Sequence, residues 1–413
     1  MKPASPPPGF QRLTGGSILA VFTLAAVLGL GACDRLMTTA PPRGDVFDAP
    51  LAGLSAAELA AFVEGDDQFA LAFAPATGLG PVFNNVSCAS CHSGDGRGRP
   101  ENALTRFSRG GDLIRELGGP QLQERAIPGA EAETLPPGVE TSLRLPPPVF
   151  GVGLIEAIPE ADILANADET DADGDGVSGR PNFVIAPDFL PAHAAPGTPL
   201  LGRFSRKAQV SSILQQTIEA YHQDIGITTD FITDDNFNPL ASGATLAADR
   251  VPDPELATSA VHAVVAYMRM LAPPEPGRMT TRRIRGRDLF GQARCASCHV
   301  PAFQTGTSSI PALRGRTAQL YSDLLLHDMG PGLADGRPDG QANGSEWRTT
   351  PLWGLRIMSE FLNGQVFLMH DGRARSVEQA IRLHGGEADS ARIAFEALPP
   401  ADRAALIDFV ESR

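Results

Sequence analysis

Cysteine, tryptophan and tyrosine are rare in this chain, and basic residues are outnumbered by acidic ones. The 413 residues include five cysteines, two tryptophans and three tyrosines, and the formal net charge is −14. A surface this acidic repels nucleic acids and anionic lipid headgroups, so we expect neither as a partner. The apolar run SILAVFTLAAVLGL has 14 residues, whereas a membrane-spanning helix needs roughly 20. A transmembrane helix is therefore disfavoured.

Four of the five cysteines fall in two copies of one pentapeptide, Cys-Ala-Ser-Cys-His, at residues 88–92 and 295–299. Two thiols on one helical turn can add to the vinyl groups of a haem, and the imidazole that follows then ligates the iron. A zinc site would need four ligands from neighbouring pairs, a dithiol site would not need both histidines, and a disulfide within the motif would constrain little. The sequence therefore predicts two covalently bound haem c groups. The residues predicted to hold them are Cys88, Cys91, His92, Cys295, Cys298 and His299.

The fifth cysteine, Cys33, ends a segment with the features of an export signal. Lys2 and Arg12 precede the apolar run, and the ending LGAC at residues 30–33 resembles a bacterial lipobox. We expect residues 1–33 to be a lipoprotein signal peptide and Cys33 to be acylated. Export suits the haems, because bacteria attach haem c outside the cytoplasmic membrane. The expected location is the bacterial periplasm, with a lipid anchor holding the protein to the membrane.

Helical periodicity recurs in the rest of the chain, between Pro- and Gly-rich stretches. A tether is predicted at residues 34–50, and LSAAELAAFVEG then has a helical stripe of Leu54, Leu59, Phe62 and Val63. A second helix, in DPELATSAVHAVVAYMRMLAPP, has the stripe Leu256, Ala260, Ala263, Tyr267 and Leu271. GRDLFGQARCASCH and LPPADRAALIDFVESR predict two more helices.

The two halves share one organisation. In each, a helix precedes the pentapeptide, a long irregular section follows, and an amphipathic helix completes the unit, as in small cytochrome c domains. Long irregular loops are expected here because a haem supplies apolar surface that side chains otherwise would. We predict a mainly α fold with two cytochrome c-like domains whose long irregular loops surround covalent haems. The predicted domains are residues 51–271 and 284–413, joined by a linker at 272–283.

Several longer stretches make the sequence similar to a known family. They are GRGRP, LQERAIPG, GVGLIEAIPEADIL, DADGDGVSGRPN, LGRFSRKA, YSDLLLHDMGPGLADGRPDG, WRTTPLWGL and FLMHDGRARSVEQAIRLHGGEA. Together they resemble the bacterial di-haem oxidoreductase family, often labelled a Cys-motif "thiol oxidoreductase". That family is distantly similar to di-haem cytochrome c peroxidases and MauG-type enzymes. The resemblance extends from about Leu54 to the C-terminus, and the thiol label is a misreading if both cysteine pairs form thioethers.

The resemblance implies ligands for the second haem. In the peroxidases a histidine lies between the haems and a distal ligand follows fourteen residues later; here FLMHDG contains His370, and the later position is His384. Peroxidases have Met there and MauG-type enzymes have Tyr, so His384 implies a second haem with two axial histidines. A surface histidine in a Gly-rich turn is the alternative for His384. His327, Met329 and His370 are the next candidate ligands, and both histidines have a plain packing role as the alternative.

The resemblance also implies that the first haem, with His92 as its proximal ligand, is the reactive one. Relatives place a Gln and a Glu over the open face of this haem, which makes Gln123, Glu124 and Glu156 the candidate catalytic residues. Solvated loop side chains are the alternative. Relatives have a tryptophan between the haems, but both tryptophans of this chain lie in its second half. Trp353 or Phe107 could substitute for it.

An acidic run, DADGDGVSG, is similar to the start of an EF-hand loop. Asp171, Asp173, Asp175 and Gly176 match positions 1, 3, 5 and 6 of such a loop, but position 12 is Asn182 and not Glu. The run predicts a calcium site, with a metal-free Asx-turn loop as the alternative.

Two function classes remain after these steps. The first is a peroxidase-like di-haem oxidoreductase, with a reactive first haem and an electron-relaying second haem. Its partners would be a small oxidant such as hydrogen peroxide and a periplasmic protein that donates or accepts electrons. The second class is an electron-transfer cytochrome whose two irons are both six-coordinate.

Overall fold

Helices provide most of the regular structure, and long irregular segments join them. The computed structural model describes residues 43–413 apart from 93, 95, 97, 191–193 and 242–245. Cys33 and the predicted signal peptide lie outside the described residues. The described α-helices are α1 Ala56–Ala70, α2 Cys88–Cys91, α3 Val152–Glu156, α4 Glu160–Leu164, α5 Ile213–Ala220, α6 Thr258–Met270, α7 Thr281–Gln292, α8 Leu355–Phe361, α9 Val377–Leu383, α10 Asp389–Ala397 and α11 Pro400–Glu411.

Helix α1 begins at a capping box and crosses α6 at a glycine. Ser55 accepts the N–H of Glu58, and the Glu58 carboxylate accepts the N–H of Ser55. A Cβ on Gly65 would lie 2.2 Å from the carbonyl oxygen of Ala263 and 2.6 Å from Cβ of Tyr267. Only glycine permits this close approach of two helices. The two helices predicted from the sequence are confirmed, and they pack against each other before and after the first pentapeptide.

The buried face of α1 differs from the predicted stripe. Leu59 and Val63 are 42% and 54% exposed, so their inclusion was wrong. The buried positions are Phe62, Gly65 and Phe69, which are three and four residues apart. Small side chains fill the gap at the crossing, and hydrophobicity alone does not reveal that a glycine faces the core.

The same crossing is repeated around the second pentapeptide, between α7 and α11. A Cβ on Gly286 would lie 2.0 Å from the carbonyl oxygen of Ala405 and 2.7 Å from Cβ of Phe409. Each half therefore contains a helix with glycine and phenylalanine four residues apart, crossing a helix with alanine and an aromatic residue four residues apart. This correspondence supports the predicted internal likeness of the two halves.

The described strands form short antiparallel pairs and no extended sheet. β1 Val82–Phe83 pairs with β3 Arg125–Ala126, β2 Leu104–Ser108 with β4 Glu140–Arg144, β5 Asn182–Ile185 with β6 Pro199–Gly202, β7 Phe303–Gln304 with β8 Thr317–Ala318, and β9 Leu326–Asp328 with β10 Glu346–Arg348. In the β2–β4 pair, Leu104 lies opposite Arg144 and Arg106 opposite Ser142. In the β9–β10 pair, Trp347 lies opposite His327. These two pairs bring distant polar side chains into the interior.

Residues 43–413 pack as one compact unit with two large apolar clusters. The larger cluster is built around α1, α5 and α6, yet it includes Phe303 and Trp353 from the second half. The smaller cluster is built around α7, α9 and α11, and it includes Leu145 from the first half. Phe47, in the segment predicted as a tether, is buried and stacks on Phe150 with ring centroids 4.8 Å apart. None of the described helices is long and apolar enough to cross a membrane.

Candidate functional site

The first pentapeptide lies at a large cavity, which we call the first cavity. Ser87 caps α2 by accepting the N–H of Ser90, and the N–H of His92 donates to the carbonyl of Cys88 at 3.0 Å. Cys88, Cys91 and His92 all face this cavity, whose empty volume is about 1640 Å³. Burial lowers the pKa of His92 to about 4, so the imidazole is neutral and has a lone pair for a metal ion.

Acidic and amide side chains from α5 and the turn after it line part of the first cavity. They are Gln216, Glu219, Gln223 and Asp224, with Gln121 beside them. Burial raises the pKa of Glu219, and it raises the pKa of Asp224 to about 6 although Gln121 donates a hydrogen bond to that carboxylate. Asp224 can therefore hold or release a proton near neutral pH. The sequence analysis missed Glu219 and Asp224, because α5 has no motif and these acids become notable only when folding buries them.

The second pentapeptide lies at a similar cavity, the second cavity, with an empty volume of about 1440 Å³. His299 lies 2.9 Å from the carbonyl oxygen of Tyr321 through Nδ1, and His384 lies 2.7 Å from that of Ala380 through Nδ1. A carbonyl only accepts hydrogen bonds, so each Nδ1 has the proton and each Nε2 keeps its lone pair. Burial lowers the pKa of both histidines, to about 4 for His299. Both side chains line this cavity.

The other candidate ligands, His327, Met329 and His370, also line the second cavity. His327 is enclosed by carboxylates: Nε2 lies 2.8 Å from Asp323, and Nδ1 lies 2.8 Å from Glu387. These carboxylates hold the pKa of His327 well above its usual value despite the cost of burial. Both ring nitrogens are therefore protonated and occupied, so His327 is a buried cation and not a lone-pair donor.

His370 is a neutral ring packed against an aromatic neighbour. It stacks on Trp347 with ring centroids 3.6 Å apart and an interplanar angle of 11°. Burial lowers its pKa to about 4. Its backbone carbonyl accepts the N–H of Leu145, a residue that lines the first cavity. His370 thus lies where the two cavities approach each other.

A shared wall separates the two cavities. Arg206, Arg348, Thr350 and Pro351 line both of them. The chain around residues 347–353 passes between the cavities, with Trp347 at the second and Trp353 at the first. Phe107, the other aromatic residue considered from the sequence, lines neither cavity and packs with Ile114 and Leu122.

The thiols of the two pentapeptides are not suited to thiol redox chemistry. None of the four cysteines is in a disulfide. Burial raises the pKa of Cys91 to about 11 and that of Cys295 to about 12. Reactive cysteines instead have a lowered pKa that yields a thiolate at neutral pH. Burial therefore disfavours the thiolate form on which such redox chemistry depends.

The three catalytic candidates from the sequence do not line the first cavity. Gln123 is buried behind its wall, where Nε2 donates to the carbonyl of Gln223 at 3.0 Å. Glu124 is exposed. Glu156 forms an ion pair with Arg269 and accepts the N–H of Ile213.

The acidic loop brings together a different set of carboxylates from the predicted one. Asp168, Asp171 and Asp173 have oxygens within 4.8 Å of one another. Asp175 is outside that group and forms an ion pair with Arg294 at 2.6 Å. Asp171 accepts the N–H of Gly176, which closes the turn. The calcium site stays a prediction.

The residues present at each cavity fit a haem c. Each cavity is large and mostly apolar, and each has two cysteine side chains and a neutral imidazole on its wall. The two cysteines of each pentapeptide would attach a haem through thioethers, and the histidine that follows would ligate its iron. The second cavity provides a further neutral imidazole, His384.

Comparison with known proteins agrees with this geometry. The sequence matches the family described as "Di-haem oxidoreductase, putative peroxidase" over residues 37–105 and 130–413. Both pentapeptides and His384 lie in the matched ranges, whereas Gln123 and Glu124 lie in the gap. No curated protein matches the sequence.

Two solved structures are similar to this chain at low identity. Hydrazine synthase of Kuenenia stuttgartiensis is 14% identical, with a TM-score of 0.38, and the alignment covers 99% of this chain and 100% of that one. A MauG-like protein associated with microbial copper homeostasis is also 14% identical, with a TM-score of 0.39 and coverage of 91% and 94%. The family match extends over most of the sequence and includes both pentapeptides, and this chain therefore belongs to the di-haem oxidoreductase family.

Proposed function

We propose that this protein is a peroxidase-like di-haem c oxidoreductase with one haem covalently bound in each cavity. The first haem, ligated by His92, is the reactive one, and the second, ligated by His299 and His384, relays electrons. Two cytochrome c-like domains, one around each haem, make up the fold. The family is an oxidoreductase family, and the peroxidase-like activity is our inference from the cavities.

The difference between the two cavities carries this proposal. Two neutral imidazoles line the second cavity, each with Nδ1 directed to a carbonyl, so two Nε2 atoms are available to one iron. Among the described residues that line the first cavity, His92 is the only histidine. A site with one protein nitrogen ligand leaves a coordination position for a small oxidant such as hydrogen peroxide.

Asp224 and Glu219 are the residues that we propose to move protons in the first cavity. A bound haem supplies the electron-transfer and oxygen chemistry, while side chains supply proton transfer and orientation. Asp224, with a pKa of about 6, is ionised in most molecules at neutral pH and can accept the first proton of peroxide. Gln123 has a positioning role, because its amide holds the Gln223 carbonyl next to Asp224.

Electrons would enter through the second haem from a protein partner in the periplasm. Two axial imidazoles favour the ferric state more than a Met–His pair does, so the second haem should have a lower potential than in the peroxidases. Trp353 lines the first cavity and closely follows Thr350 and Pro351, which line both cavities, so we propose it for the route between the haems.

One observation favours the second candidate function, an electron-transfer cytochrome. Met268 lines the first cavity and is buried on α6. A thioether ligand from Met268 would make the first iron six-coordinate and leave no position for peroxide.

The location is proposed from the sequence, and the calcium site is proposed from the acidic run and the carboxylates that the fold brings together. Residues 1–33 serve as a lipoprotein signal peptide, and Cys33 anchors the mature protein to the membrane from the periplasmic side. The Asp168–Asp171–Asp173 group is the proposed calcium site, with oxygen ligands of the kind that calcium prefers.

Electron paramagnetic resonance of the oxidised protein tests the function. Mass spectrometry of the denatured chain first establishes two covalent haems. One high-spin and one low-spin ferric signal, with only the high-spin signal responding to peroxide and cyanide, are expected of the enzyme. Two low-spin signals that ignore both ligands would overturn the proposal in favour of the electron carrier, and a Met268→Leu variant that becomes high-spin would identify the ligand responsible.

A further inference from the structure

A buried cluster of charged side chains lies beside the first cavity. One oxygen of Asp339, Oδ2, lies 2.7 Å from a guanidinium nitrogen of Arg144, 2.7 Å from one of Arg337 and 3.5 Å from Nε of Arg106. The Arg337 side chain is fully buried, and those of Arg144 and Arg106 are 6% and 15% exposed. Three guanidinium groups therefore share a single carboxylate oxygen in the interior.

The cluster continues through a buried lysine. Lys207 is fully buried, and its ammonium lies 2.9 Å from Asp335 and donates to the carbonyls of Arg337 and Asn343. The cluster thus has four cationic side chains and two carboxylates. A buried net positive charge is costly unless an anion compensates it.

Several guanidinium N–H groups of the cluster remain available as hydrogen-bond donors to an anion. Nη2 of Arg144 and both Nε and Nη2 of Arg337 are buried without a hydrogen-bond partner. Arg203, at the same cavity, differs, because it donates to the carbonyls of Ile155, Glu156 and Ile158. Of the acids that line the cavity, Glu219 has a pKa that burial raises, whereas Asp224, with a pKa of about 6, supplies one negative charge at neutral pH.

Arg106 and Arg144 project from the paired strands β2 and β4 into the first cavity. A haem has two propionate side chains, and guanidinium groups are the preferred partners of carboxylates. We infer that Arg106 and Arg144 bind the propionate groups of the haem in the first cavity, and that Asp339 and Arg337 hold Arg144 in position. This inference rests on the proposed haem in that cavity. The proposed subsite binds carboxylates, with the guanidinium groups of Arg106 and Arg144 as the partners of the two propionates.

The subsite also reaches toward the second cavity. The Arg144 guanidinium lies 5.9 Å from the ring centroid of Trp347, and the Lys207 ammonium lies 4.4 Å from it. Trp347 lines the second cavity. Charge changes in the cluster should therefore act mainly on the first haem and more weakly on the second, because Coulomb interactions fall with distance.

Redox titration of the holoprotein tests the inference, with haem content measured in every sample. Arg144→Gln removes a cation, so the ferric haem is favoured, and we expect at least a tenfold fall in the ferrous-to-ferric ratio of the first haem, about 59 mV for one electron. Asp339→Asn should shift the ratio in the opposite direction, and the double variant should return toward wild type. Arg283→Gln is the matched control, because Arg283 pairs with Asp408 and lines neither cavity.

Infrared difference spectra distinguish a direct arginine–propionate hydrogen bond from an electrostatic effect of the arginine at a distance. With the two haem carboxyl groups isotope-labelled, their bands should shift on Arg144→Gln and on Arg106→Gln but not on Arg283→Gln. If Arg144→Gln does not fold, Arg106→Gln alone tests the contact with the propionates. Arg106 is more exposed than Arg144 and farther from Asp339, so its replacement should disturb folding less. Unshifted carboxyl bands in folded variants would overturn the subsite. A wild-type protein with no haem on Cys88 and Cys91 would instead overturn the proposed function.

Discussion

Trp347 and His370 stack face to face, with ring centroids 3.6 Å apart. The Lys207 ammonium lies 4.4 Å from the same indole ring. A nearby cation opposes the loss of an electron from an aromatic ring, because it stabilises the π electrons. Trp347 is therefore hard to oxidise, whereas Trp353 has no cation–π contact among the described residues and lines the first cavity.

Trp353→Phe should slow electron transfer between the haems without changing either axial ligand set. We expect roughly a tenfold or larger fall in the rate at which the first haem is re-reduced after oxidation, followed by stopped-flow absorption. Phe107→Leu is the control, since Phe107 is buried in a separate apolar cluster. Equal rates in wild type and Trp353→Phe would exclude this residue from the route.

His384→Ala should convert the low-spin haem to high-spin and leave the signal of the first haem in place. The reason is that His384 has a neutral imidazole at the second cavity with Nδ1 bound to a carbonyl. His370→Gln, at the same cavity, should keep the low-spin signal. A low-spin signal that survives His384→Ala would make Met329 or His370 the next ligand to test.

Asp224 should set the acid limb of peroxide turnover. Its pKa is raised to about 6, and the ionised form accepts the proton, so kcat/KM should rise as pH increases through about 6. Asp224→Asn should abolish this limb and lower kcat/KM roughly 100-fold or more. Asp230→Asn serves as a control, because Asp230 is a solvent-exposed residue that accepts from Thr258. An unchanged pH profile in Asp224→Asn would assign the proton transfer elsewhere.

Glu133 should make the fold less stable as pH rises. One of its oxygens accepts the N–H of Gln123, the other is buried without a partner, and burial raises its pKa from 4.5 to about 8. Between these values the native state keeps a proton that the unfolded state has lost, so the free energy of unfolding falls as pH increases. Glu133→Gln should remove this fall, on the order of a few kcal/mol. Urea unfolding at pH 5 and pH 8 measures it, and a pH dependence equal to wild type would contradict the assignment.

Cys33→Ala should release the protein from the membrane fraction or leave it unprocessed, because the acylated residue is lost. Immunoblots of membrane and soluble fractions measure this. Haem staining of the denatured variant is the control, because Cys88 and Cys295 are unchanged and haem attachment should proceed. A variant that fractionates like wild type would rule out the lipobox.

Local signals in the sequence predicted four of the described helices, α1, α6, α7 and α11, and located both pentapeptides, because helical periodicity and pentapeptide spacing are short-range features. The family assignment was confirmed. The burial of Phe47 and the exposure of Leu59 and Val63 were not predictable, since they depend on which distant helix packs against each face.

The carboxyl groups of the first cavity were also missed from the sequence. Asp224 and Glu219 become notable only because folding buries them beside His92. Gly65 and Gly286, each followed by phenylalanine four residues later, were a readable repeat that would have located the two helix crossings.

The shared wall at residues 348–351 has a consequence for how the protein can be made. In the export that we propose, the chain emerges from its N-terminus, so Cys88 and Cys91 would reach the periplasm before Arg348 and Pro351, which line both cavities. The first pentapeptide would then be open to the proposed haem attachment while its cavity is still incomplete. A fragment that stops before Arg348 lacks this wall, so we expect the first half to hold its proposed haem only as part of the full chain.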